Sequence, residues 1–191
     1  MSVKLNSVRL IGGAWRRRVL RFPDAEGLRP TPDRVRETLF NWLGQDLSGL
    51  SCLDLFAGSG ALGFEAASRG AARVVMVERS AGTAAALRAN AERLGAAGRV
   101  EIVRADAVEF ASSRGGPASR FNVLFLDPPY RQGWLDRLEP MLPGLLARSG
   151  AMYVEAETAL EACGGWRVAR RGKAGQVYYH LMRSEESDGA R

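Results

Sequence analysis

From residue 51 onward, short apolar stretches alternate with amphipathic ones, and that alternation leaves few folds open. Cys52–Phe56, Arg73–Val77, Val100–Arg104 and Phe121–Leu126 read as strands. Between them, Ala61–Arg69, Ala81–Leu94 and Ala107–Ser112 read as helices, the first two closed by Gly70 and Gly95. Each crossover must lay its helix over the sheet, so the pattern predicts an α/β fold: a mostly parallel sheet covered on both faces. Phe121–Leu126 is the most apolar strand and belongs at the centre. A helix over Leu135–Leu146 leads to a strand at Met152–Glu155. The end reads as a hairpin, Trp166–Arg171 with Gln176–Met182, turning near Gly172–Gly175.

Upstream, Val8–Ile11 and Arg18–Arg21 suggest a hairpin around Gly12-Gly13. A helix of about a dozen residues follows, capped by Thr31 or Asp33 and stopped by Gly44, with Val35, Leu39 and Trp42/Leu43 on one face. Residues 1–30 thus form a basic hairpin extension, 31–183 the main domain and 184–191 a frayed polar tail; Gly115-Gly116-Pro117 marks a surface loop. A chain of 191 residues suits one well-buried domain with a small appendage.

The charge is uneven. The net +6 comes from 27 basic and 21 acidic residues. Lys4, Arg9, Arg16, Arg17, Arg18 and Arg21 fall within residues 1–21 with no acid among them, and Arg167, Arg170, Arg171, Lys173 and Arg183 repeat the pattern near the end. Clustered arginines suit bidentate phosphate contacts and base stacking, the footprint of a nucleic-acid binder. A genome rich in Arg codons would scatter them among acids instead. The apolar runs, such as Val74–Val77 and Val123–Leu126, are too short to span a bilayer, and no signal peptide is recognisable, so a cytoplasmic protein without membrane partners is expected. Cys52 and Cys163 read as semi-buried thiols, His180 as a structural residue of a strand, and no metal site is expected.

Two motifs carry chemistry. Asp54-Leu-Phe-Ala-Gly58-Ser-Gly60-Ala-Leu-Gly63 spells GxGxxG after a strand and at the head of a helix, where backbone must turn tightly beneath a ligand. Glu78 follows Gly60 by 18 residues, the spacing of an acid that grips a ribose diol. The glycines alone fit nicotinamide and methyl-donor cofactors equally. Asp54 separates the two, because a carboxylate gains nothing beside a pyrophosphate and much beside a sulfonium with an α-amino group. Asp106 closes the third strand, although it could serve only as an N-cap for the helix at Ala107.

The second motif is Asp127-Pro128-Pro129-Tyr130, straight after the fourth strand. Paired prolines stiffen the loop and leave carbonyls free to accept. A carboxylate on Asp127 and the Pro128 carbonyl could take the two N–H bonds of an exocyclic amine. Its lone pair would then be freed from the ring, while Tyr130 stacks on the base. A rigid strand-ending turn is the alternative.

Together Asp54-x-Phe-x-Gly-x-Gly and Asp127-Pro-Pro-Tyr resemble the amino-methyltransferases, whose tetrapeptide is Asp/Asn/Ser-Pro-Pro-Tyr/Phe. Three further segments narrow the resemblance to the bacterial methyltransferases that make N2-methylguanine in small-subunit (16S) ribosomal RNA. They are Arg9-Leu-Ile-Gly12-Gly13-Ala-Trp15-Arg16-Arg-Arg18, the run from Leu28 to Leu43, and Ala174-Gly175-Gln176-Val177-Tyr178-Tyr179. One departure is Arg17, where glycine is expected.

The resemblance implies a Rossmann-like, seven-stranded sheet with an antiparallel C-terminal hairpin. S-adenosyl-L-methionine is the implied methyl donor. The implied target is a guanine in the small-subunit head near the tRNA site, modified by a monomer on an assembled particle rather than on naked RNA. The donor would lie on Asp54, Phe56, Gly58, Gly60, Glu78, Arg79, Asp106 and Ala107, with Thr31 and Arg34 beside its methionine end. Asp127, Pro128, Pro129 and Tyr130 would be catalytic. Arg9, Arg16, Arg17, Arg18, Arg21, Arg29 and Arg36 would touch RNA, unless Arg36 pairs with Asp33 or Glu37 along its helix. Three rivals remain at this point: adenine-N6 methylation, a nicotinamide-dependent oxidoreductase, and a non-catalytic RNA-binding protein that kept the fold.

Overall fold

The computed structural model describes residues 5–24, 28, 30–114 and 120–184. The strands are β1 (Leu5–Arg9), β2 (Val19–Pro23), β3 (Ser51–Asp54), β4 (Arg73–Val77), β5 (Val100–Val103), β6 (Phe121–Leu126), β7 (Leu146–Ala156), β8 (Ala162–Cys163), β9 (Trp166–Ala174) and β10 (Val177–Arg183). The helices are α1 (Asp33–Leu43), α2 (Ala61–Ser68), α3 (Ala81–Leu94), α4 (Ala107–Ser112), α5 (Trp134–Leu138) and α6 (Leu142–Leu145). Strands β3 to β10 form one sheet in the order β5-β4-β3-β6-β7-β10-β9-β8, parallel from β5 to β7 and antiparallel beyond. This is the doubly wound arrangement expected, with one strand more than the seven predicted. The addition is the two-residue edge strand β8, too short to leave a periodic signal.

Apolar side chains from opposite faces of the sheet define two cores. Cys52, Val74, Met76, Val123 and Phe125 face α1, α2, α3 and the β1–β2 hairpin. Leu53, Val75, Leu124 and Met152 face α4, α5 and α6. Both cysteines are buried, and His180 is fully buried, its Nε2 accepting from the Leu160 amide at 3.1 Å while Nδ1 lies 3.1 Å from the Val154 carbonyl. That histidine ties two segments together, as a structural residue would.

Several local expectations need correction. The long helix predicted over Leu135–Leu146 is broken into α5, a 3-10 turn (Glu139–Met141) and α6, because Pro140 and Pro143 each remove an amide from the ladder. Neither Thr31 nor Asp33 caps α1; Pro32 occupies the cap, and both side chains are engaged elsewhere. The N-terminal hairpin pairs Val8 with Leu20, so its strands lie a few residues outside the predicted ones and its arginine-rich connection is longer. Arg17 adopts φ 70° within it, its amide bonded to the Leu10 carbonyl at 2.8 Å. A left-handed residue with a side chain is strained by roughly 1–2 kcal/mol, which explains why glycine is expected at this position.

The hairpin is clamped to α2. The amides of Ile11 and Gly12 donate to the Glu65 carboxylate at 3.0 and 2.7 Å, and the Trp15 amide donates to Ser68 Oγ at 2.8 Å. Gly13 must be glycine: it has φ 71°, and a Cβ there would lie 1.9 Å from the Ser68 carbonyl oxygen.

For Arg36 the structure decides between RNA contact and pairing along its helix, in favour of pairing. Its side chain is 0% exposed and reaches no surface on which RNA could lie. It pairs instead with Glu65 at 3.4 Å and Asp33 at 2.6 Å, and donates to the carbonyls of Arg9 at 2.9 Å and Thr31 at 3.1 Å. One guanidinium thus fastens the hairpin, α1 and α2 together. The predicted RNA contact at Arg29, the Gly115-Gly116-Pro117 loop and residues 185–191 lie outside the described residues.

Candidate active site

Strand order reverses between β3 and β6, and at such a point the loops leaving the sheet diverge and open a crevice at the carboxyl edge. Each parallel strand delivers an acid there: Asp54 ends β3, Glu78 follows β4, Asp106 lies after β5, Asp127 follows β6 and Glu155 stands near the end of β7. Five carboxylates thus line one edge of the sheet in a chain of net charge +6.

The glycine loop joins β3 to α2. Gly58 and Gly60 have φ 50° and 79°, which the turn requires. The space a Cβ would occupy at Gly60 is already filled by Leu87 and Phe64, and at Gly63 by Met76, so these two glycines bring α2 onto its neighbours. At Gly58 the nearest atom is Leu28 Cδ1. The Gly58 amide donates to Glu78 Oε2 at 3.1 Å, while Glu78 Oε1 accepts from the Ser80 amide at 2.7 Å. Glu78 therefore bridges the loop and the start of α3. Asp106 does cap α4, accepting from the amides of Val108 and Glu109 at 2.9 and 3.4 Å through Oδ1 alone. Its capping and ligand roles are compatible. Ala107 is buried in the first turn of α4, Phe56 packs edge-on against Trp134 at 5.4 Å, and Arg79 and Arg34 are exposed.

Asp54 supplies the test of fit for a cationic cofactor. Its Oδ2 accepts from the Gly63 amide at 3.2 Å, but its buried Oδ1 has no partner. Burial lifts its pKa to about 7, opposed by the amides of Phe56 and Gly63 and reinforced by the charge of Glu78. An orphaned carboxylate oxygen in an acidic crevice fits an ammonium or sulfonium ligand and disfavours a pyrophosphate. The shift from the ordinary value of 3.8 means that ionising Asp54 costs fold stability as pH rises towards 7, and that a cationic ligand must draw its proton off. Affinity for S-adenosylhomocysteine is therefore expected to fall about tenfold per unit of pH below 7. Asp54→Asn should bind weakly at every pH and lose that slope. Calorimetry across the pH range checks both.

The tetrapeptide leaves β6 beside β7. Asp127 is partly and Pro128 wholly buried, whereas Pro129 is exposed and Tyr130 is 43% exposed at the loop tip. Tyr130 is the one large aromatic among the described residues that is presented to solvent, as a stacking platform requires.

Behind it stands Glu155, which the sequence reading passed over. This residue is 6% exposed and accepts from three hydroxyls: Tyr153 at 2.8 Å and Thr31 at 3.2 Å on Oε1, Tyr130 at 3.4 Å on Oε2. Burial raises the pKa of Asp127 well above the carboxylate range, helped by the charges of Glu155 and Asp54 and opposed by the Thr31 hydroxyl. Burial raises Glu155 too, against the bonds from Tyr153, Thr31 and Tyr130. The acid at the end of every preceding strand was the signal that could have revealed Glu155. Its strand, Met152–Glu155, was recognised; its terminal residue was not.

The proposed RNA arginines other than Arg36 and Arg29 all reach the surface: Arg9, Arg16, Arg17, Arg18 and Arg21 are exposed on or beside the hairpin. Arg167, Arg170, Arg171 and Lys173 are exposed along β9.

Fold and site together define a Rossmann-like methyltransferase domain with the tetrapeptide Asp127-Pro128-Pro129-Tyr130 at the switch point of its sheet. Residues 8–183 match the family described as Conserved hypothetical protein 95. The chain is 43% identical over 189 residues to Ribosomal RNA small subunit methyltransferase D of Escherichia coli (strain K12), covering 95% of this chain and 93% of that protein. The solved structure of the Escherichia coli protein yhhF superposes with a TM-score of 0.81 at 42% identity, over 94% of this chain and 99% of that one. The Thermus thermophilus 16S rRNA N2 methyltransferase RsmC, solved with AdoMet and guanosine, shares the fold at TM-score 0.71 and 20% identity, with 97% of this chain covering 52% of that one. The chain belongs to the family of small-subunit ribosomal RNA methyltransferases D.

Proposed function

We propose that this protein transfers the methyl group of S-adenosyl-L-methionine to the exocyclic N2 amine of a guanine in 16S ribosomal RNA, within the small subunit or an assembly intermediate. The observation that carries this reading is the shared sheet edge, where Asp54, Glu78 and Asp106 line one side of the switch point and Asp127-Pro128-Pro129-Tyr130 the other. Glu78 would take the ribose hydroxyls, Asp54 the α-amino group and Asp106 the adenine amine, with Phe56, Gly58, Gly60, Arg79, Ala107 and Arg34 around them. When bound, the donor supplies an electrophilic methyl on a sulfonium.

The rest of the chemistry falls to the chain. An exocyclic amine is a poor nucleophile because its lone pair is delocalised into the ring. Asp127 and the Pro128 carbonyl accept its two N–H bonds and favour the pyramidal nitrogen that can attack. Charge-assisted acceptance is about twice as strong as a neutral bond. Tyr130 stacks on the everted base and Pro129 stiffens the loop, so positioning supplies much of the rate. The exposed arginines of the hairpin and of β9 would hold RNA phosphates. The similarity to small-subunit ribosomal RNA methyltransferases supports the ribosomal substrate, and the orphaned Asp54 oxygen argues against a nicotinamide cofactor.

Incubation with small-subunit particles lacking the modification, followed by nucleoside mass analysis, tests the proposal. N2-methylguanosine is the expected product. N6-methyladenosine, or no methylation, would refute it.

A further inference from the structure

The tetrapeptide runs on into Arg131, Gln132 and Gly133, and every residue from Pro129 to Gly133 is exposed, so core packing does not hold this stretch in place. We propose that Glu157, just after β7, is a positioning residue, a role that rests on the amino-methyl transfer read above. Its carboxylate clamps the Arg131 amide and thereby aims the Tyr130 ring at the target base.

The clamp begins with backbone shape. Arg131 has φ 60°, and with Arg17 it is one of two residues other than glycine that take a positive φ among the described residues. The left-handed form is disfavoured about tenfold for a residue with a side chain, so it persists only where the surroundings enforce it. Here the Arg131 amide donates to Glu157 Oε1. The φ of Arg131 sets how the chain ahead of it, Tyr130 included, is turned against the chain beyond. Releasing that bond frees the tyrosine to swing.

The chain beyond Arg131 is anchored. Gln132 Oε1 accepts from Trp134 Nε1 at 3.0 Å, and the buried Trp134 stands edge-on to Phe56. Gly133 makes a second left-handed turn, φ 64°, at no steric cost to glycine. The far end of the tyrosine is held less firmly: its hydroxyl donates to Glu155 Oε2 at 3.4 Å, a long bond that cannot fix the ring alone. The angle of Tyr130 therefore depends on the bond between Arg131 and Glu157. One strand end serves both purposes, since Glu157 follows Glu155 by two residues.

A base stacked on Tyr130 sits only as well as the ring beneath it. Setting the ring before RNA arrives removes an ordering step from the reaction and keeps the amine in line with the methyl. The bond to Arg131 needs an acceptor and no charge, which distinguishes Glu157 from an acid that grips RNA or cofactor. Glutamine keeps a carbonyl oxygen and so keeps the clamp; alanine has none. Glu157 is itself exposed, so truncating it opens no cavity and strands no buried charge.

Single-turnover methyl transfer to unmodified small-subunit particles tests the clamp with Glu157→Ala, Glu157→Gln, Arg131→Gly and the double variant Glu157→Ala with Arg131→Gly. At saturating particles Glu157→Ala should slow transfer about tenfold. The particle concentration for half-maximal rate, S-adenosylhomocysteine affinity and melting temperature should hold. Glu157→Gln should stay within about twofold of the wild-type rate. Glycine takes positive φ as readily as negative, so in the Arg131→Gly background losing Glu157 should cost less than about threefold. Comparison within that background cancels whatever the Arg131 side chain contributes itself. Amide hydrogen exchange reads the clamp apart from activity: the Arg131 amide should exchange at least about tenfold faster in Glu157→Ala than in wild type or Glu157→Gln. A wild-type rate in Glu157→Ala, a Glu157→Gln as slow as Glu157→Ala, an undiminished loss in the Arg131→Gly background, or an unprotected Arg131 amide in wild type would overturn the clamp. A wild-type protein that transfers no methyl would overturn the proposed function instead, and Arg131 exchange would still decide the clamp.

Discussion

Asp127→Ala is expected to slow methyl transfer at least about a hundredfold while leaving S-adenosylhomocysteine binding and fold stability intact. The separation of these effects follows from where the side chain sits. Asp127 shares a buried corner with Glu155, and after burial the charge of Glu155 helps to raise its pKa. Removing one carboxylate relieves that repulsion, so the melting temperature should hold or rise even as the amine loses its charged acceptor. Asp127→Asn keeps a carbonyl that can accept one N–H bond, and the resembling tetrapeptides admit Asn, so it should retain more activity than alanine. Transfer kinetics, adenosylhomocysteine titration and a melting curve on the three proteins check the pattern. A stability loss that tracked the activity loss would make Asp127 a structural residue.

Arg36→Met should produce the largest stability loss, roughly 3–5 kcal/mol. The methionine has similar length and leaves little cavity, so the loss comes from Glu65. That carboxylate is 0% exposed and is shared by Arg36 and Arg69, with Arg69 Nη2 at 3.0 Å. The hairpin amides of Ile11 and Gly12 also depend on it. Arg69 compensates part of the buried charge, which places the effect towards the lower end. Denaturant unfolding measures it. The double variant Arg36→Met with Glu65→Leu should lose more still, because the Arg69 guanidinium and the amides of Ile11 and Gly12 then lose their acceptor.

These residues also show how far the sequence could be read. The parallel sheet, the glycine loop and the tetrapeptide were legible because each depends on local rules: the period of the apolar positions, positive φ at Gly58 and Gly60, paired prolines after a strand. Helices α3 and α4 and strand β6 fell on their predicted residues. For Arg36 the pairing with Asp33 was among the readings left open, but its other partners come from segments about thirty residues away on either side. From sequence, a guanidinium bound for a buried carboxylate looks the same as one bound for phosphate. Glu155 was missed for a related reason: a glutamate ending a strand has no local mark of function until β7 settles beside β6. Arg17 lay between these cases. Its departure from the expected glycine was visible, and its left-handed backbone gave the reason.

The claim on which the account rests is that one sheet edge holds the methyl donor opposite the tetrapeptide. A crystal structure with S-adenosylhomocysteine measures this most directly. The ribose hydroxyls are expected on Glu78, the α-amino group on the open oxygen of Asp54, and the sulfur turned towards the crevice between Asp127 and Tyr130. A ligand seated elsewhere, with Asp54 Oδ1 still without a partner, would contradict it.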